Sequence, residues 1–293
     1  MVDMDGPINV LVLGGGPDRE REVSLNSASQ VAGALREAGH TVIERDILPD
    51  DLSALDESFD VVFPVLHGPW GEGGPLQQIL ERRRLRFVGC GSAAASTAID
   101  KVATKQAISS LDVLLPHHQV VTGHEPLTIR PPAVVKPIDD GSSVDVSICH
   151  SADEIREAVD RNRHGRRSLM IEQFIVGREM TVGVLEGRAL PVIEIVPSVK
   201  FYDYEAKYTR DDTQYRLEID LPAEAITQMQ RNAEAVFAAL GCRDLSRVDF
   251  IVDRSHQPWF LEVNTLPGFT SHSLLPMAAG RDGLDMPALC DRL

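Results

Sequence analysis

The sequence predicts an α/β and α+β chain of three units, the first built on an open, mostly parallel sheet. Through about residue 95, short strand patterns alternate with helical patterns, which is typical of such sheets. From Asp100 the pattern changes, and a capping box at Ser151–Glu154 opens a helix of a second unit. Two more strand runs follow, and 293 residues are enough for two or three cores. We therefore expect domains at 1–96, 97–178 and 179–293.

The expected elements follow from runs of apolar residues that end at glycine or proline. The first unit shows four strand runs, at Ile8–Leu13, from Thr41, at Val61–Val65 and at Leu85–Val88. The later units add strands at Ala133–Lys136, Leu169–Ile175, Met180–Leu185 and Leu190–Val196. A long helix follows Pro222, repeats apolar residues on one face and ends at Gly241.

The charge balance excludes one class of partner. The chain carries 29 Lys and Arg against 44 Asp and Glu, a net charge of -15. Nucleic acid needs a basic face and is not expected, whereas a nucleotide needs only a few local cations. No signal series and no apolar run near the ~20 residues of a bilayer span occur, so we expect no membrane partner. The four scattered cysteines are expected as reduced thiols, and the location as cytoplasmic.

Two alternating segments near the C-terminus predict a hairpin with a cluster of carboxylates. If the turn centres on Ser255 and His256, Asp249 lies opposite Glu262, and the residues two positions away, Arg247 and Asn264, also pair on that face. Opposed like charges destabilise a hairpin unless a cation neutralises them. Two carboxylates and an amide oxygen suit Mg²⁺. The alternative is a solvated outer face that needs no partner.

Two segments suggest contact with phosphate, although each has a plainer interpretation. Lys136 ends a strand just before Gly141–Ser143, where small residues let backbone N–H groups approach phosphate oxygens. An ordinary loop explains the same residues, and neither a P-loop motif nor GxGxxG occurs. The loop Phe201–Tyr208 holds three of the four tyrosines and Lys207. It is either an aromatic surface loop or a lid that closes on substrate.

Six motifs in order resemble those of the D-alanine–D-alanine ligase family over nearly the whole chain. They are Glu20–Leu25, His67-Gly68 with Gly71-Glu72, Asp100-Lys101 with Lys105, Lys136-Pro137 with Gly141–Val144, Phe201–Tyr208, and Glu262–Thr265 with Pro267-Gly268 and Thr270–Leu274. The resemblance implies a three-domain ATP-grasp fold and condensation of two D-alanines through a D-alanyl phosphate. The product serves peptidoglycan precursor synthesis in this family. The resemblance also implies a homodimer, with ATP and D-alanine as the small-molecule partners.

The resemblance assigns roles at the nucleotide and the metal. ATP would be bound as co-substrate by Lys101, Lys136, Ser142, Ser143, Glu172, Phe174, Ile175, Glu179 and Lys207. Two Mg²⁺ ions, with Mn²⁺ as a possible substitute, would be held by Asp249, Glu262 and Asn264. The same three residues, Asp249, Glu262 and Asn264, share one face of the predicted hairpin.

The resemblance also assigns roles at the substrates. Glu20, His67, Ser273 and Leu274 would bind D-alanine, and the catalytic set would be Glu20, Ser142, Tyr208, Arg247 and Gly268. Tyrosine at position 208 favours the dipeptide, because relatives with phenylalanine there resemble D-alanine–D-lactate ligases. Taken alone, Glu20 reads as an exposed helix-start glutamate and His67 as a loop histidine.

Several departures from the family pattern touch the substrate and phosphate loops more than the metal site. Asp145 stands where the family usually has glycine, and Gly73 stands where it commonly has aspartate. Pro17-Asp18 replaces the small polar residues that are usual after the first glycines. We expect Asp145 to weaken nucleotide affinity by charge repulsion. Two alternative functions stay open, another ATP-grasp ligase joining different amino or hydroxy acids and a catalytically silent nucleotide-binding module.

Overall fold

The computed structural model describes residues 6–123, 125–141, 145–163, 168–196, 213–270 and 272–293. These residues form three separate sheets, which follow one another along the chain. No helix among them combines the length and the apolar character that a bilayer crossing needs.

The first sheet is parallel and has three strands in the order β2-β1-β3. Its strands are β1 (Asn9–Gly15), β2 (Thr41–Ile47) and β3 (Val61–Pro64), and its helices are α1 (Arg21–Glu37), α2 (Gly68–Gly71) and α3 (Pro75–Arg82). The prediction of a fourth strand at Leu85–Val88 is wrong. Phe87 makes only an isolated bridge to Val62, so this segment follows the sheet edge for one residue pair.

The second sheet is antiparallel and has four strands in the order β4-β7-β5-β6. Two helices, α4 (Ser92–Ile99) and α5 (Lys101–Ala107), precede it; its elements are β4 (His118–Val121), β5 (Ala133–Pro137), β6 (Ser147–Cys149), α6 (Ala152–Asn162) and β7 (Leu169–Gln173). The Ser151 hydroxyl accepts a hydrogen bond from the Glu154 N–H at 3.2 Å, so the predicted cap opens α6.

The third sheet is antiparallel and runs β11-β10-β8-β12-β13, with β9 paired to β8. Its elements are β8 (Gly177–Leu185), β9 (Arg188–Ala189), β10 (Ile193–Val196), β11 (Gln214–Arg216), α7 (Ala223–Ala239), β12 (Leu245–Asp253), β13 (Pro258–Asn264), α8 (Leu274–Arg281) and α9 (Met286–Arg292). One face buries Val182, Val248 and Phe250 against Met229 and Val236 of α7. Burial of these apolar side chains stabilises this half of the chain.

The other face of the third sheet is divided between core and site. At one end Leu185 and Leu245 join a core shared with β1 and α8, in which the rings of Phe63 and Phe269 meet edge to face at 5.6 Å. Farther along the same face the side chains are polar. The first of them is Arg247 of β12, which pairs with Gly183 of β8. This shared core packs the first sheet against the third. The contact lies next to the polar part of the third sheet's face. The predicted domain boundaries stay a prediction.

Candidate active site

Two polar rows lie side by side on the open face of the third sheet. Asp249 pairs with Glu262 of β13, and Arg247 pairs with Asn264 of the same strand. On the other side of β12, Asp249 pairs with Thr181 of β8. Because alternate residues of a strand share a face, the predicted cluster of four polar side chains is present.

The predicted turn of this hairpin is wrong, although the predicted pairs are right. Near the turn Phe250 pairs with Phe260, a register one residue away from the one expected. His256 has a φ of 60°, and the Asp253 N–H donates to the Gln257 carbonyl at 3.1 Å, so the loop has three residues. A bulge after Asp249 then restores the expected register at the carboxylates.

Asp249 is buried rather than solvated, which removes the interpretation of a solvated outer face at this residue. It is 4% exposed. The Arg247 guanidinium donates to both of its oxygens, from Nε to Oδ1 at 3.0 Å and from Nη2 to Oδ2 at 2.8 Å. The Thr181 hydroxyl donates to Oδ1 at 2.5 Å. A buried carboxylate requires such compensation.

The donor set fits a hard cation that keeps ligands from outside the protein. Glu262 faces Asp249 and is partly exposed, and the Asn264 amide oxygen also accepts the Leu266 N–H at 2.8 Å. Within the part of the chain that the structure describes, no group of three or more His, Cys, Asp or Glu residues could hold a metal. Two carboxylates and one amide oxygen fill only part of the coordination shell of Mg²⁺. The other coordination positions are open to phosphate and water, as is usual at Mg²⁺ sites.

Lys101 and Lys136 lie near these carboxylates, and a third lysine, Lys105, is buried beside Lys136 through a shared partner, Glu172. The ammonium of Lys101, at the start of α5, donates to the Asp140 carbonyl at 2.6 Å and lies 3.6 Å from Glu262. Lys136, at the end of β5, pairs with Glu172 at 2.6 Å, and the buried Lys105 pairs with the other oxygen of Glu172. Burial acts to raise the pKa of Glu172, but the two lysines together hold that pKa below its usual value.

A first cavity lies between the second and third sheets. It is lined by eight residues predicted for nucleotide or metal, namely Lys101, Lys136, Glu172, Phe174, Ile175, Glu179, Asp249 and Glu262. The lining combines apolar side chains with cations and carboxylates. This is the arrangement that a base with a charged phosphate chain requires.

A second cavity adjoins the first. It brings together residues from distant parts of the sequence that were predicted for substrate or catalysis, namely Glu20, His67, Arg247, Gly268, Ser273 and Leu274. The two cavities share Lys101, Asp140 and Glu262. A group transferred from one cavity to the other would therefore pass beside the ion pair of Lys101 and Glu262.

Glu20 and His67 are both buried, so the plainer interpretation of Glu20 as an exposed glutamate is wrong. Glu20 is the N-cap of α1, and His67 is the N-cap of α2. Burial and the nearby charge of Arg247 lower the pKa of His67 to about 4, so its ring is neutral at neutral pH. Its buried Nε2 has no hydrogen-bond partner among the described residues, which suits a ligand group in the cavity.

Three residues of the site were missed by the sequence-based prediction. Glu72 lines the second cavity, where burial and the charge of Glu20 raise its pKa to about 8. Thr181 lies within an apolar strand run, and the sequence-based prediction gives it no role. Lys105 belongs to one of the six motifs, but no role is predicted for it. The Gly71-Glu72 motif was a usable signal for Glu72. Four predicted residues, Ser142, Ser143, Lys207 and Tyr208, lie outside the described residues.

The backbone favours glycine at two of the positions where the chain departs from the family pattern. A side chain at Gly73 would place its Cβ 2.4 Å from the Pro69 carbonyl oxygen, so this loop accepts only glycine without a shift. Asp145 has a φ of 57°, the left-handed region that favours glycine. Its side chain is exposed, and its carbonyl accepts a hydrogen bond from Asn162 at 2.8 Å.

The fold and the two joined cavities define an ATP-grasp ligase. The family model for the D-ala D-ala ligase C-terminus matches residues 115–293, and that for the N-terminus matches residues 44–90. The chain belongs to the D-alanine–D-alanine ligase family.

Individual relatives agree over almost the full length. The D-alanine–D-alanine ligase of Laribacter hongkongensis is 42% identical over 287 residues, covering 96% of this chain and 93% of that protein. That of Aquifex aeolicus is 41% identical, covering 96% and 98%. The crystal structure of the Bacillus anthracis enzyme complexed with ATP has a TM-score of 0.85 at 29% identity, covering 98% and 96%. The VanG D-Ala:D-Ser ligase of Enterococcus faecalis has the same TM-score at 27% identity, covering 98% of each chain.

Proposed function

We propose that this chain condenses two D-alanines with ATP, through a D-alanyl phosphate, giving the dipeptide, ADP and phosphate for peptidoglycan precursor synthesis. The observation that carries the proposal is the meeting of the two cavities at Lys101, Asp140 and Glu262. ATP in the first cavity would direct its γ-phosphate toward a carboxylate in the second. Family membership supplies the identity of the substrates.

The nucleotide would lie along the first cavity. Lys101 and Lys136 would contact phosphates, Glu172 and the backbone of Phe174 and Ile175 would hold adenine, and Glu179 the ribose. The support is that all six line one cavity, whose wall also includes apolar side chains. The family resemblance adds Ser142, Ser143 and Lys207 to the phosphate contacts.

Asp249, Glu262 and Asn264 would hold two Mg²⁺ ions, with Mn²⁺ as a substitute. The support is their shared face and the hard oxygen character of the three side chains. When bound, the ions would neutralise charge on the transferring phosphoryl group. The ammonium groups of Lys101 and Lys136 would add positive charge near the transferring phosphoryl group.

The first chemical step is attack of one D-alanine carboxylate on the γ-phosphorus of ATP. A bond forms from a carboxylate oxygen to phosphorus, and the bond to the bridging oxygen of ADP breaks. Glu20 would pair with the ammonium of this D-alanine, and neutral His67 would lie near its carboxylate. The step is needed because a free carboxylate is a poor acylating agent, whereas phosphate is a good leaving group.

The second step is attack of the other D-alanine's free amine on the acyl carbon. The resulting tetrahedral intermediate carries a negative oxygen, which Arg247 and the Gly268 N–H would stabilise as its charge develops. It collapses when the carbon–oxygen bond to phosphate breaks and the nitrogen loses its proton. Ser273 and the Leu274 N–H would hold the second D-alanine's carboxylate, and Glu20, Ser142 and Tyr208 would form a hydrogen-bonded set.

A second candidate function is ligation of D-alanine to a different acceptor. It is favoured by the TM-score of 0.85 to a D-Ala:D-Ser ligase, and by the changed residue Gly73 in a substrate loop. A panel of D-amino and D-hydroxy acids, measured by phosphate release, separates the candidates. The first predicts D-alanine as the preferred acceptor.

We also propose that the chain works as a homodimer in the cytoplasm. The support is family membership, and light scattering on the purified protein measures the number of copies. A monomeric mass at working concentration contradicts the dimer.

The experiment that tests the function is ADP release from Mg-ATP and D-alanine by the wild type, Asp249→Ala and Glu262→Ala. We expect D-alanine-dependent ADP release in the wild type and its loss by at least about a hundredfold in both variants. Full activity in both variants contradicts the metal assignment, and no D-alanine dependence in the wild type contradicts the function.

A further inference from the structure

Thr181 is a buried polar residue in the middle of β8, beside the candidate metal carboxylate. It is 1% exposed. Its chain neighbours Met180 and Val182 are buried in the core against α7, so Thr181 lies on the opposite face, which carries the site. A hydroxyl buried without a partner costs free energy. Here the partner is Asp249, whose Oδ1 accepts the hydroxyl at 2.5 Å.

The strand pairing determines which carboxylate the hydroxyl meets. Thr181 pairs with Asp249 across β8 and β12, and Asp249 pairs with Glu262 across β12 and β13. The three side chains therefore form one row across three neighbouring strands. Thr181 is the donor at the buried end of this row, and Glu262 is the partly exposed carboxylate at the other. A branched threonine in a strand has few rotamers, which holds the donor in place.

A hydroxyl acts on Asp249 differently from a guanidinium. Arg247 brings a full positive charge to the carboxylate, and so offsets the charge that would attract a cation. Thr181 donates a hydrogen bond to the charged carboxylate without adding a charge. It can therefore orient Asp249 and leave the negative charge of the row in place for a metal.

We propose that Thr181 is a positioning residue that holds the Asp249 carboxylate in the orientation that binds the magnesium of Mg-ATP. The inference rests on the proposed function and adds a residue to it. Thr181 itself touches neither metal nor substrate in this assignment. Residues that orient metal ligands through a hydrogen bond change metal affinity by about 10-fold to 100-fold when they are removed.

The test compares Thr181→Val with Thr181→Ser. Valine keeps the branched shape and loses the hydroxyl, whereas serine keeps the hydroxyl and loses the methyl group. In Thr181→Val we expect the Mg²⁺ concentration for half-maximal ADP release to rise about tenfold, with wild-type values in Thr181→Ser. Thr181→Ala replaces Thr181→Val in the comparison if the valine variant does not fold.

A second readout does not depend on turnover. Binding of Mn²⁺ in the presence of ADP, followed by electron paramagnetic resonance, should weaken about tenfold in Thr181→Val and be restored in Thr181→Ser. Adenosine binding, which needs no metal, should be the same in all variants. Wild-type metal dependence in Thr181→Val, or equal loss in the valine and serine variants, overturns the inference.

Asp249→Ala separates this inference from the function on which it rests. If Asp249→Ala binds Mn²⁺ as the wild type does, the metal assignment fails and the inference fails with it. If Asp249→Ala loses Mn²⁺ while Thr181→Val retains it, the metal assignment stands and the role of Thr181 is rejected.

Discussion

The ammonium of Lys136 lies 2.6 Å from Oε2 of Glu172, and both side chains are buried where β5 pairs with β7. The second oxygen of Glu172 is paired with Lys105, which is 2% exposed and also donates to the Pro116 carbonyl at 3.0 Å. A residue proposed for phosphate and one proposed for adenine are therefore joined directly. Lys105 holds Glu172, and through it Lys136, in position, although Lys105 itself lines neither cavity.

Replacing Lys105 by methionine should destabilise the fold. Removing one partner of a buried ion pair costs about 3–5 kcal/mol, and we expect about 3 kcal/mol because Lys136 still faces Glu172. The free energy of unfolding from urea denaturation measures the loss. Lys105→Arg keeps the charge and should lose no more than about half as much. Equal stability of Lys105→Met and the wild type contradicts this role of Lys105.

The raised pKa of Glu72 predicts that stability falls as the pH rises. Its pKa is about 8 in the folded chain against 4.5 for the ordinary group. Its contribution is therefore complete below pH 4.5 and is lost as the pH rises through 8, by up to about 5 kcal/mol. Glu72→Gln has no such proton to lose, so its advantage over the wild type in unfolding free energy should grow between pH 5 and pH 9.

The control for this prediction is Glu37→Gln, at the exposed end of α1. Its unfolding free energy should follow that of the wild type across the same pH range. If the difference between Glu72→Gln and the wild type stays constant from pH 5 to pH 9, Glu72 does not titrate in this range.

Introducing a side chain at Gly73 should disturb the loop beside the second cavity. The added Cβ would meet the Pro69 carbonyl oxygen at 2.4 Å and the Ile99 side chain at 2.9 Å. We expect Gly73→Ala and Gly73→Asp each to cost about 1–3 kcal/mol of unfolding free energy, and the D-alanine KM to rise in both. Wild-type stability in Gly73→Ala would show that the loop moves freely to accept a Cβ.

The charge and the backbone of Asp145 should have separable effects. Its φ of 57° predicts that Asp145→Gly is more stable than Asp145→Asn, by about 0.5–1 kcal/mol. The charge effect on ATP should appear in both variants as a KM lowered by about twofold to threefold, a small change because the side chain is exposed. An unchanged ATP KM in both variants rejects the charge effect.

The sequence predicts the polar pairs of the β12–β13 hairpin correctly because the pattern of this hairpin is local. Alternation places Arg247 and Asp249 on one face, and pairing with β13 needs only the turn position. The turn was placed one residue wrong, and the bulge after Asp249 compensated for the error. A bulge leaves no clear mark in an alternating pattern, so the correct register at Asp249 could not be derived from the turn.

Other features depend on tertiary contacts that no local pattern contains. Leu85–Val88 has the composition of a strand, but only Phe87 reaches the sheet edge as a bridge. Thr181 is one polar residue in an apolar strand, and its role appears only when β12 lies beside it. The two cavities join where Lys101 and Asp140 lie beside Glu262 of the third sheet, and these residues are distant in the sequence.

In the proposed reaction the γ-phosphoryl group of ATP passes from the first cavity to a D-alanine carboxylate in the second. Supplying D-alanine labelled with ¹⁸O in its carboxyl group tests this directly, because the oxygen that attacks phosphorus leaves with the phosphate. Mass spectrometry of the released phosphate should show one ¹⁸O atom in each molecule, with the other label retained in the dipeptide carbonyl. Unlabelled phosphate formed together with dipeptide contradicts the acyl phosphate and the account built on it.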